Sequence, residues 1–486
     1  MKLTKDFLTN SLPYATFLFG DAPMTDADWC TYAHHPEVGV SFDTRTLAPG
    51  ELFIPLPGTI CDGHDFIEEA LKRGASGSLI ARERYACREK LSTEQKYKKL
   101  FIIVPDVQQA LCDLATAWRA QLTCPVVGVT GSLGKTSTKE MVRSILEHAG
   151  ITAYVSFKNY NNVLGVSYNV LRIPSSVAAA VLEMGINDVG EMRLLATIAR
   201  PTMALITCVA HTHTEGLGNS LAAVAREKCE IFSFFTHDNV GIVPGDQAIL
   251  AKRSYAHKTI YFGLRARNQI RARAVRVTTQ DDGAFITEFN LWCGGDKAVV
   301  RMQGNHPSIV HNALAASAIA HFLRVPLSVI AAGLGAYRGT DGRFRIKKLK
   351  DNKGIVLDDC YNASPESMRA ALCALTQFKA HGRKIAVLGD MLELGSNERR
   401  WHRAIGILIA KKSADIDRLV LVGKRARDIA AMIPSSLSCQ CVDDWQAAAH
   451  AVNALLLEQS PAVVLVKASH GMQLDKLVRS LVEECR

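Results

Sequence analysis

The stretch "PVVGVTGSLGKTSTKEMVRSILEHAG" (125–150) decides the fold. Its first half, "PVVGVTG", is a β-branched run between proline and glycine, which predicts a buried strand. Its second half, "KTSTKEMVRSILEHAG", spaces apolar residues at helical intervals and closes on Gly150, predicting an amphipathic helix. The join is a glycine loop that looks one residue short. The usual nucleotide loop carries glycine five positions before its Gly-Lys pair, and here that position is Val129. An anion cradle nevertheless needs only converging backbone N–H groups, a helix N-terminus, a lysine for the terminal phosphates and a hydroxyl for Mg²⁺. Gly131, Gly134, Lys135 and Thr136 supply all four, with Ser132 and Ser137 completing the loop and first turn. ATP binding is the expectation.

Outward from this loop, "AAAVLEMG", "MALITCVA" and "NVGIVPGD" read as further strands separated by helices, the pattern of a parallel α/β sheet. After the helical "HNALAASAIAHFL", the glycine- and charge-rich "GAYRGTDGRFRIKKLKDNKG" reads as a linker or edge hairpin and puts a boundary near Arg345. A second alternating series follows in "GIVLDDCY", "KIAVLGDM", "RLVLVG" and "AVVLVKAS", each strand expected to lead into a helix. The first ~110 residues differ, with short strands, many turns and one helix at "DFIEEALKRG". The expected fold is therefore α/β in three domains. A small N-terminal α/β domain spans 1–110, a central phosphate-loop domain with a parallel sheet spans 111–345, and a Rossmann-like domain spans 346–486.

A chain of 486 residues exceeds one hydrophobic core, consistent with about three domains. Its 48% hydrophobic and 21% charged residues are ordinary for a globular protein. The formal charge of +10, from 57 Lys+Arg against 47 Asp+Glu, suits anionic ligands without choosing among them. Thirteen cysteines show no paired metal spacing, Cys439 and Cys441 being the one close pair, and read as reduced thiols. The N-terminus has no apolar core of a signal peptide and no apolar run approaches ~18 residues, so a cytoplasmic protein without a membrane span is expected. In "RARNQIRARAVRV" (265–277) no aromatic residue is interleaved for base stacking, so a solvated strand face is expected and a nucleic-acid partner is not.

In "VLEMGIND", Glu183 ends a predicted strand, where open parallel sheets bind ligands, and a Mg²⁺ ligand is expected over a salt-bridged cap. "CVAHTHTEGLGN" sets His211 and His213 in a loop at the same sheet edge. "LAAVAREKCEIF" is a helix carrying Lys228, which periodicity alone leaves as a solvated lysine.

Together these segments resemble the Mur ligase family, the ATP-dependent amide ligases of peptidoglycan synthesis. The matches are the short "G-x-x-G-K-[ST]" loop at Gly131–Thr136, "NYNNVLGV" (159–166), Glu183, His213, "KCE" (228–230), "GNHPSIVHNALAA", "GR" (342–343) and "VLDDCYNASPESM". They run in order over nearly the whole chain. "SFDTRTLAPGELFIPLPGTICDGHDF" resembles a uridine-nucleotide-binding domain, which disfavours a folyl-polyglutamate synthetase. The "DNPR" of many third-residue-adding ligases is absent, and "DDCYNASPESM" and "VLGDMLELG" are similar to the dipeptide-adding members. The implied partners are UDP-N-acetylmuramoyl-tripeptide and D-Ala-D-Ala, joined through an acyl phosphate by a chain expected to act as a monomer.

The resemblance implies roles residue by residue. Lys135 meets the β- and γ-phosphates, and Thr136 with Glu183 binds one Mg²⁺. His213 helps bind a second, and Lys228 is carbamylated by CO₂ into an anionic metal ligand. Asn312, Arg343 and Asp358 match positions for adenine, γ-phosphate and ribose. Asp43, Thr44, Arg45, Asp62, Gly63 and His64 match the uridine-nucleotide site, with Asn161 and Asn162 on the Asn-rich loop. Asp359 and Asn362 match the dipeptide side, where the C-terminal domain also completes the ATP site. The sequence departs from the family pattern at Pro307, Cys229, Ser364 and His470, and His211 has no family role. Rival expectations are a third-residue-adding or folate ligase of the same fold, and a nucleotide-binding scaffold without catalysis.

Overall fold

The computed structural model describes residues 1, 3–20, 22–33, 38–58, 61–86, 98–157, 159–212, 215–218, 220–279, 285–378 and 382–482. Among these residues three sheets succeed one another along the chain, with six, nine and six strands. The first is mixed: Thr16–Phe19 runs antiparallel to Leu100–Val104, which pairs in parallel with Gly77–Ala81 and so on to the short Leu52–Phe53 and Val40–Ser41. More helices serve this part than its turn-rich sequence suggests, including Lys5–Ser11, Asp26–Ala33 and Arg82–Ala86 beside the expected Ile67–Lys72. A fifth, Val107–Gln121, is held by an Asp106 cap and runs across position 110.

The central sheet places Val126–Thr130 between Met203–Ile206 and Ala179–Glu183, all parallel. Each of these strands is buried along its whole length, which is why they read as unbroken β-branched runs rather than alternating ones. All three end at one edge, where ligands of such sheets bind. The far side is not parallel. Ile270–Thr279, Phe285–Cys293 and Asp296–Gln303 form an antiparallel meander, turned between its last two strands by Gly294 and Gly295 with φ of +62° and +95°. That Gly-Gly between alternating runs is the sequence signal for the hairpin.

In "RARAVRV" the arginines are not evenly spaced, yet they share a face. Arg273 pairs with Asn290 and Arg276 with Glu288, so one extra residue is inserted at a bulge where Ala274 takes φ +52°. Arg273 and Arg276 are exposed, and Arg271 lies over the Trp292 ring at 5.2 Å. The face is a solvated one.

The third sheet begins with the antiparallel hairpin Arg345–Lys348 and Gly354–Asp358, then continues in parallel through Ala462–Lys467, Arg383–Gly389, Arg418–Val422 and a short Cys439–Val442. Only a four-residue helix, Arg427–Ala430, follows Arg418–Val422. Among the described residues no helix is long and apolar enough to cross a membrane.

Candidate functional site

The strand Val126–Thr130 delivers the chain into Gly131, whose φ of +144° only glycine adopts easily, and the helix Lys135–His148 starts at Gly134 with φ +82°. Close approach matters at both. A Cβ at Gly131 would overlap the Thr207 hydroxyl, and one at Gly134 would overlap the Asn312 amide. The loop is stitched to the neighbouring strand end. Ser132 Oγ donates to Ala210 O at 3.1 Å and accepts from Ala210 N at 2.9 Å, and Thr207 Oγ1 donates to Leu133 O at 2.5 Å. The shortened loop is thus a rigid turn at a helix N-terminus, the geometry that binds anions.

Lys135 folds back to donate to Gly131 O at 2.9 Å. Thr136 Oγ1 donates to Glu183 Oε2 at 2.9 Å, and Asn161 Nδ2 donates to Glu183 Oε1 at 2.8 Å. Glu183, 2% exposed, is therefore aimed by the phosphate loop on one side and the Asn-rich loop on the other. Beneath it lies a lysine that the motif does not single out. Lys139 is 0% exposed, donates to Ser156 O at 2.8 Å, and stands 3.9 Å from Glu183 Oε2. Ser156 Oγ in turn accepts from Glu183 N at 3.0 Å. The signal for Lys139 was present: it falls on the buried stripe of Thr138, Val142, Ile145 and Leu146.

Lys228 inverts its solvated-helix reading. It is 2% exposed and has no hydrogen-bond or ion-pair partner among the described residues. Burial, reinforced by the Lys135 charge, pushes its ammonium down to about 7. Its neighbour Glu227 turns away, accepting from Gly190 N at 2.9 Å and Met192 N at 3.1 Å. His213 lies outside the described residues. Among those described, no three His, Cys, Asp or Glu side chains gather as a metal cage. The hydroxyl of Thr136 beside the Glu183 carboxylate is a hard-oxygen set of the kind that takes Mg²⁺ together with phosphate oxygens.

Two clefts open from the loop. One, of about 930 Å³ including its solvent-open part, is lined by Gly134, Ser137, Asn312, Arg343, Asp359 and Asn362 among others. The other, of about 1030 Å³, is lined by Ser132, Lys135, Asn161, Asn162, Glu183 and Asn362 among others. Leu133, Gly134, Arg343 and Asn362 belong to both. Arg343 reaches Thr136 Oγ1 at 3.4 Å with its guanidinium stacked 3.9 Å over Tyr361. Asp358 is buried and already engaged by Lys347 Nζ at 2.8 Å and Gly342 N at 3.3 Å. Asp359 pairs with the buried Lys467 at 2.7 Å, and Lys467 also donates to Asn362 O at 2.9 Å. Asn162 spends its oxygen on Gly165 N at 2.9 Å as a helix cap.

Three of the four departures from pattern have identifiable local surroundings. Ser364 caps the helix Pro365–Thr376 in a reciprocal pair with Ser367. His306, before Pro307, is held neutral by burial, its ring well down at about 4, and bonds Ser308 Oγ at 2.7 Å. His470 packs against Tyr361 with centroids 5.6 Å apart. Nothing in the structure explains Cys229.

Among the described residues, those of the N-terminal part line neither cleft. Asp43 binds Arg45 twice, at 2.9 Å to Nε and 2.7 Å to Nη2, while Thr44 is buried. Asp62 caps the 3₁₀ turn Gly63–Phe66 and pairs with His64 Nδ1 at 2.7 Å and with Arg84. Although burial opposes it, those bonds hold the Asp62 carboxyl down at about 2. This part nevertheless abuts the site. Phe42 packs on Tyr160 at 5.5 Å and on Tyr168 at 4.8 Å, Arg172 donates to Val40 O at 2.9 Å, and Tyr160 precedes Asn161.

A phosphate loop facing a buried carboxylate, walled by a third α/β unit, defines a multidomain nucleotide-dependent ligase fold. Three family patterns cover the chain: Mur ligase family, catalytic domain, at 38–119; Mur ligase middle domain at 129–320; and Mur ligase, glutamate ligase domain, at 342–470. The chain belongs to the Mur ligase family. It is 34% identical over 450 residues to the UDP-N-acetylmuramoyl-tripeptide–D-alanyl-D-alanine ligase of Bacillus subtilis (strain 168), covering 92% of this chain and 93% of that one. It is 35% identical over 454 residues to the enzyme of the same name from Escherichia coli (strain K12), covering 91% and 93%. Among solved structures, MurF from Acinetobacter baumannii superposes with a TM-score of 0.81 at 26% identity, covering 98% of each chain.

Proposed function

We propose that this chain joins D-Ala-D-Ala to UDP-N-acetylmuramoyl-tripeptide, consuming ATP, in the supply of peptidoglycan precursor in the cytoplasm. The observation that carries the reading is the pair of clefts meeting at one phosphate loop, with Leu133, Gly134, Arg343 and Asn362 common to both. One cleft suits a nucleotide, and the other brings a peptide acid and an amine to its phosphate end.

A carboxylate is a poor acyl donor because oxide would have to leave. Attack of the peptide carboxylate oxygen on the γ-phosphorus releases ADP and leaves an acyl phosphate. The dipeptide amine then attacks the acyl carbon, and phosphate departs. Such chemistry needs positioning and charge neutralisation rather than a side-chain nucleophile. Lys135 swings from Gly131 O to the phosphates, while Arg343, braced on Tyr361, neutralises the transferring group. Thr136 and Glu183 would hold Mg²⁺, which when bound offsets phosphate charge, and His213 would serve a second ion. Lys228 fits carbamylation because a buried, unpartnered amine lowered to about 7 is a free-base nucleophile for CO₂ near neutrality. The carbamate would replace a cation beside Lys135 with an anion. Asn312 would meet adenine, Asp358 the ribose, and Asp359 and Asn362 the dipeptide. Asp43, Thr44, Arg45, Asp62, Gly63 and His64 would hold the uridine nucleotide, joined to the site through Phe42 and Tyr160.

Product analysis tests this. With ATP, Mg²⁺ and UDP-muramoyl-tripeptide, D-Ala-D-Ala should give the pentapeptide nucleotide and ADP. A single diamino acid offered to the dipeptide acceptor, or glutamate offered to a folate, should give no product. Product from either, with none from D-Ala-D-Ala, would overturn the assignment.

A further inference from the structure

The helix Lys135–His148 buries Lys139 completely, one turn past Lys135. A lysine this deep is kept only where its charge is paired. Its ammonium donates to Ser156 O at 2.8 Å and lies 3.1 Å from Glu140 Oε1 and 3.9 Å from Glu183 Oε2. Glu140 has a second cation, because Arg143 Nε donates to its Oε2 at 2.9 Å. Glu183 is otherwise held by neutral donors, the Thr136 hydroxyl at 2.9 Å and the Asn161 amide at 2.8 Å. Among the described residues, Lys139 is the one cation paired with Glu183.

The oxygen nearest Lys139, Oε2, is also the one that meets the Thr136 hydroxyl, so the lysine stands against the oxygen pair that fits Mg²⁺. Arg343 Nη2 lies 3.4 Å from the same hydroxyl. A bare divalent cation arriving there finds a carboxylate already neutralised by Lys139 and a guanidinium that repels it. An ion carried on a nucleotide brings phosphate charge that outweighs both. Resting on the Mg²⁺ reading of Thr136 and Glu183, we propose that Lys139 is a positioning residue that, by neutralising Glu183, withholds the metal site from free divalent cations and reserves it for the metal–nucleotide complex. Glu183 is 2% exposed, and at such burial one charge acts on another far more strongly than in water.

The test is direct binding to the full chain of Mn²⁺, a paramagnetic stand-in for Mg²⁺, alone and as the preformed complex with ADP. Lys139→Gln, which keeps a donor for Ser156 O and removes the charge, and Lys139→Met should bind free Mn²⁺ roughly tenfold or more tightly than the parent. Their affinity for the Mn²⁺–ADP complex should stay within about threefold of the parent's, because phosphate has already offset the charge. Lys139→Arg, which keeps the charge, should bind both as the parent does. Adding Glu183→Gln to Lys139→Gln should abolish the gain, which assigns it to this site. Tighter binding is a result that a damaged fold cannot give. Free Mn²⁺ affinity equal to the parent's in both neutral variants would overturn the proposal, as would an equal gain for the ADP complex or a gain that survives Glu183→Gln. If the parent binds the Mn²⁺–ADP complex no more tightly than the ion alone, the Mg²⁺ reading of Thr136 and Glu183 fails and this inference with it.

Discussion

Lys135→Ala should lower ATP-dependent phosphate release in the presence of both substrates by on the order of 10³-fold, about 4 kcal/mol of transition-state stabilisation. The side chain is half-buried, and among the described residues its one hydrogen bond is to the carbonyl of Gly131. Its loss should therefore leave the unfolding midpoint within a few degrees of the parent's, because one such bond is worth about 1 kcal/mol. The contrast between intact fold and lost turnover is the point. A lysine retained for packing would show the reverse, and turnover near the parent's would remove the loop from the reaction. Burial lowers the Lys135 ammonium, with Glu183 opposing that shift, so the charge offered to phosphate is one already partly stripped of water.

Lys228→Ala should be inactive and partly restored by added formate or acetate, which return a carboxylate to the space the carbamate would fill. Parent-like activity, or inactivity that no small carboxylate relieves in a folded protein, would contradict the carbamate. The unmodified lysine also leaves a thermodynamic mark. Its folded pKa of about 7 lies below the ordinary 10.5, so the unfolded chain binds more protons between those values and stability contributed at this position rises with pH across that window. The variant, lacking the group, should gain stability relative to a CO₂-free parent as pH falls from about 10 to 7. An unchanged difference across that range would mean that Lys228 is not held in a dry site.

The sequence makes the heart of this site legible because its chemistry and its fold use the same residues. Gly131 and Gly134 are glycine for backbone reasons, Lys135 and Thr136 for ligand reasons, and all lie between a strand and a helix that periodicity identifies. Glu183 is legible from its place at a strand end. What periodicity cannot reveal is which helix face is dry. Lys228 looks solvated in its helix and proves buried, with Lys135 and Cys208 of other segments near enough to act on its charge. Lys139 differs, since its place on the apolar stripe marks it as buried, and only its partners Ser156 and Glu183, 17 and 44 residues away in the chain, escape a local pattern. The His211–Glu366 pair joins residues 155 apart on two units, and no local pattern announces it. In the fold, buried parallel strands were readable as continuous apolar runs, whereas the Phe285–Gln303 hairpin alternates and was marked mainly by Gly294–Gly295. Most N-terminal helices are short, and one such as Lys5–Ser11 is capped by a single residue, Thr4, a signal easily lost among turns.

The most direct measurement follows an oxygen atom. UDP-muramoyl-tripeptide labelled with ¹⁸O in its terminal carboxylate is incubated with ATP, Mg²⁺ and D-Ala-D-Ala, and the released phosphate is weighed by mass spectrometry. Transfer of the γ-phosphoryl group to the acid predicts one ¹⁸O in each phosphate formed with the amide; phosphate carrying no label, at full amide yield, would contradict it.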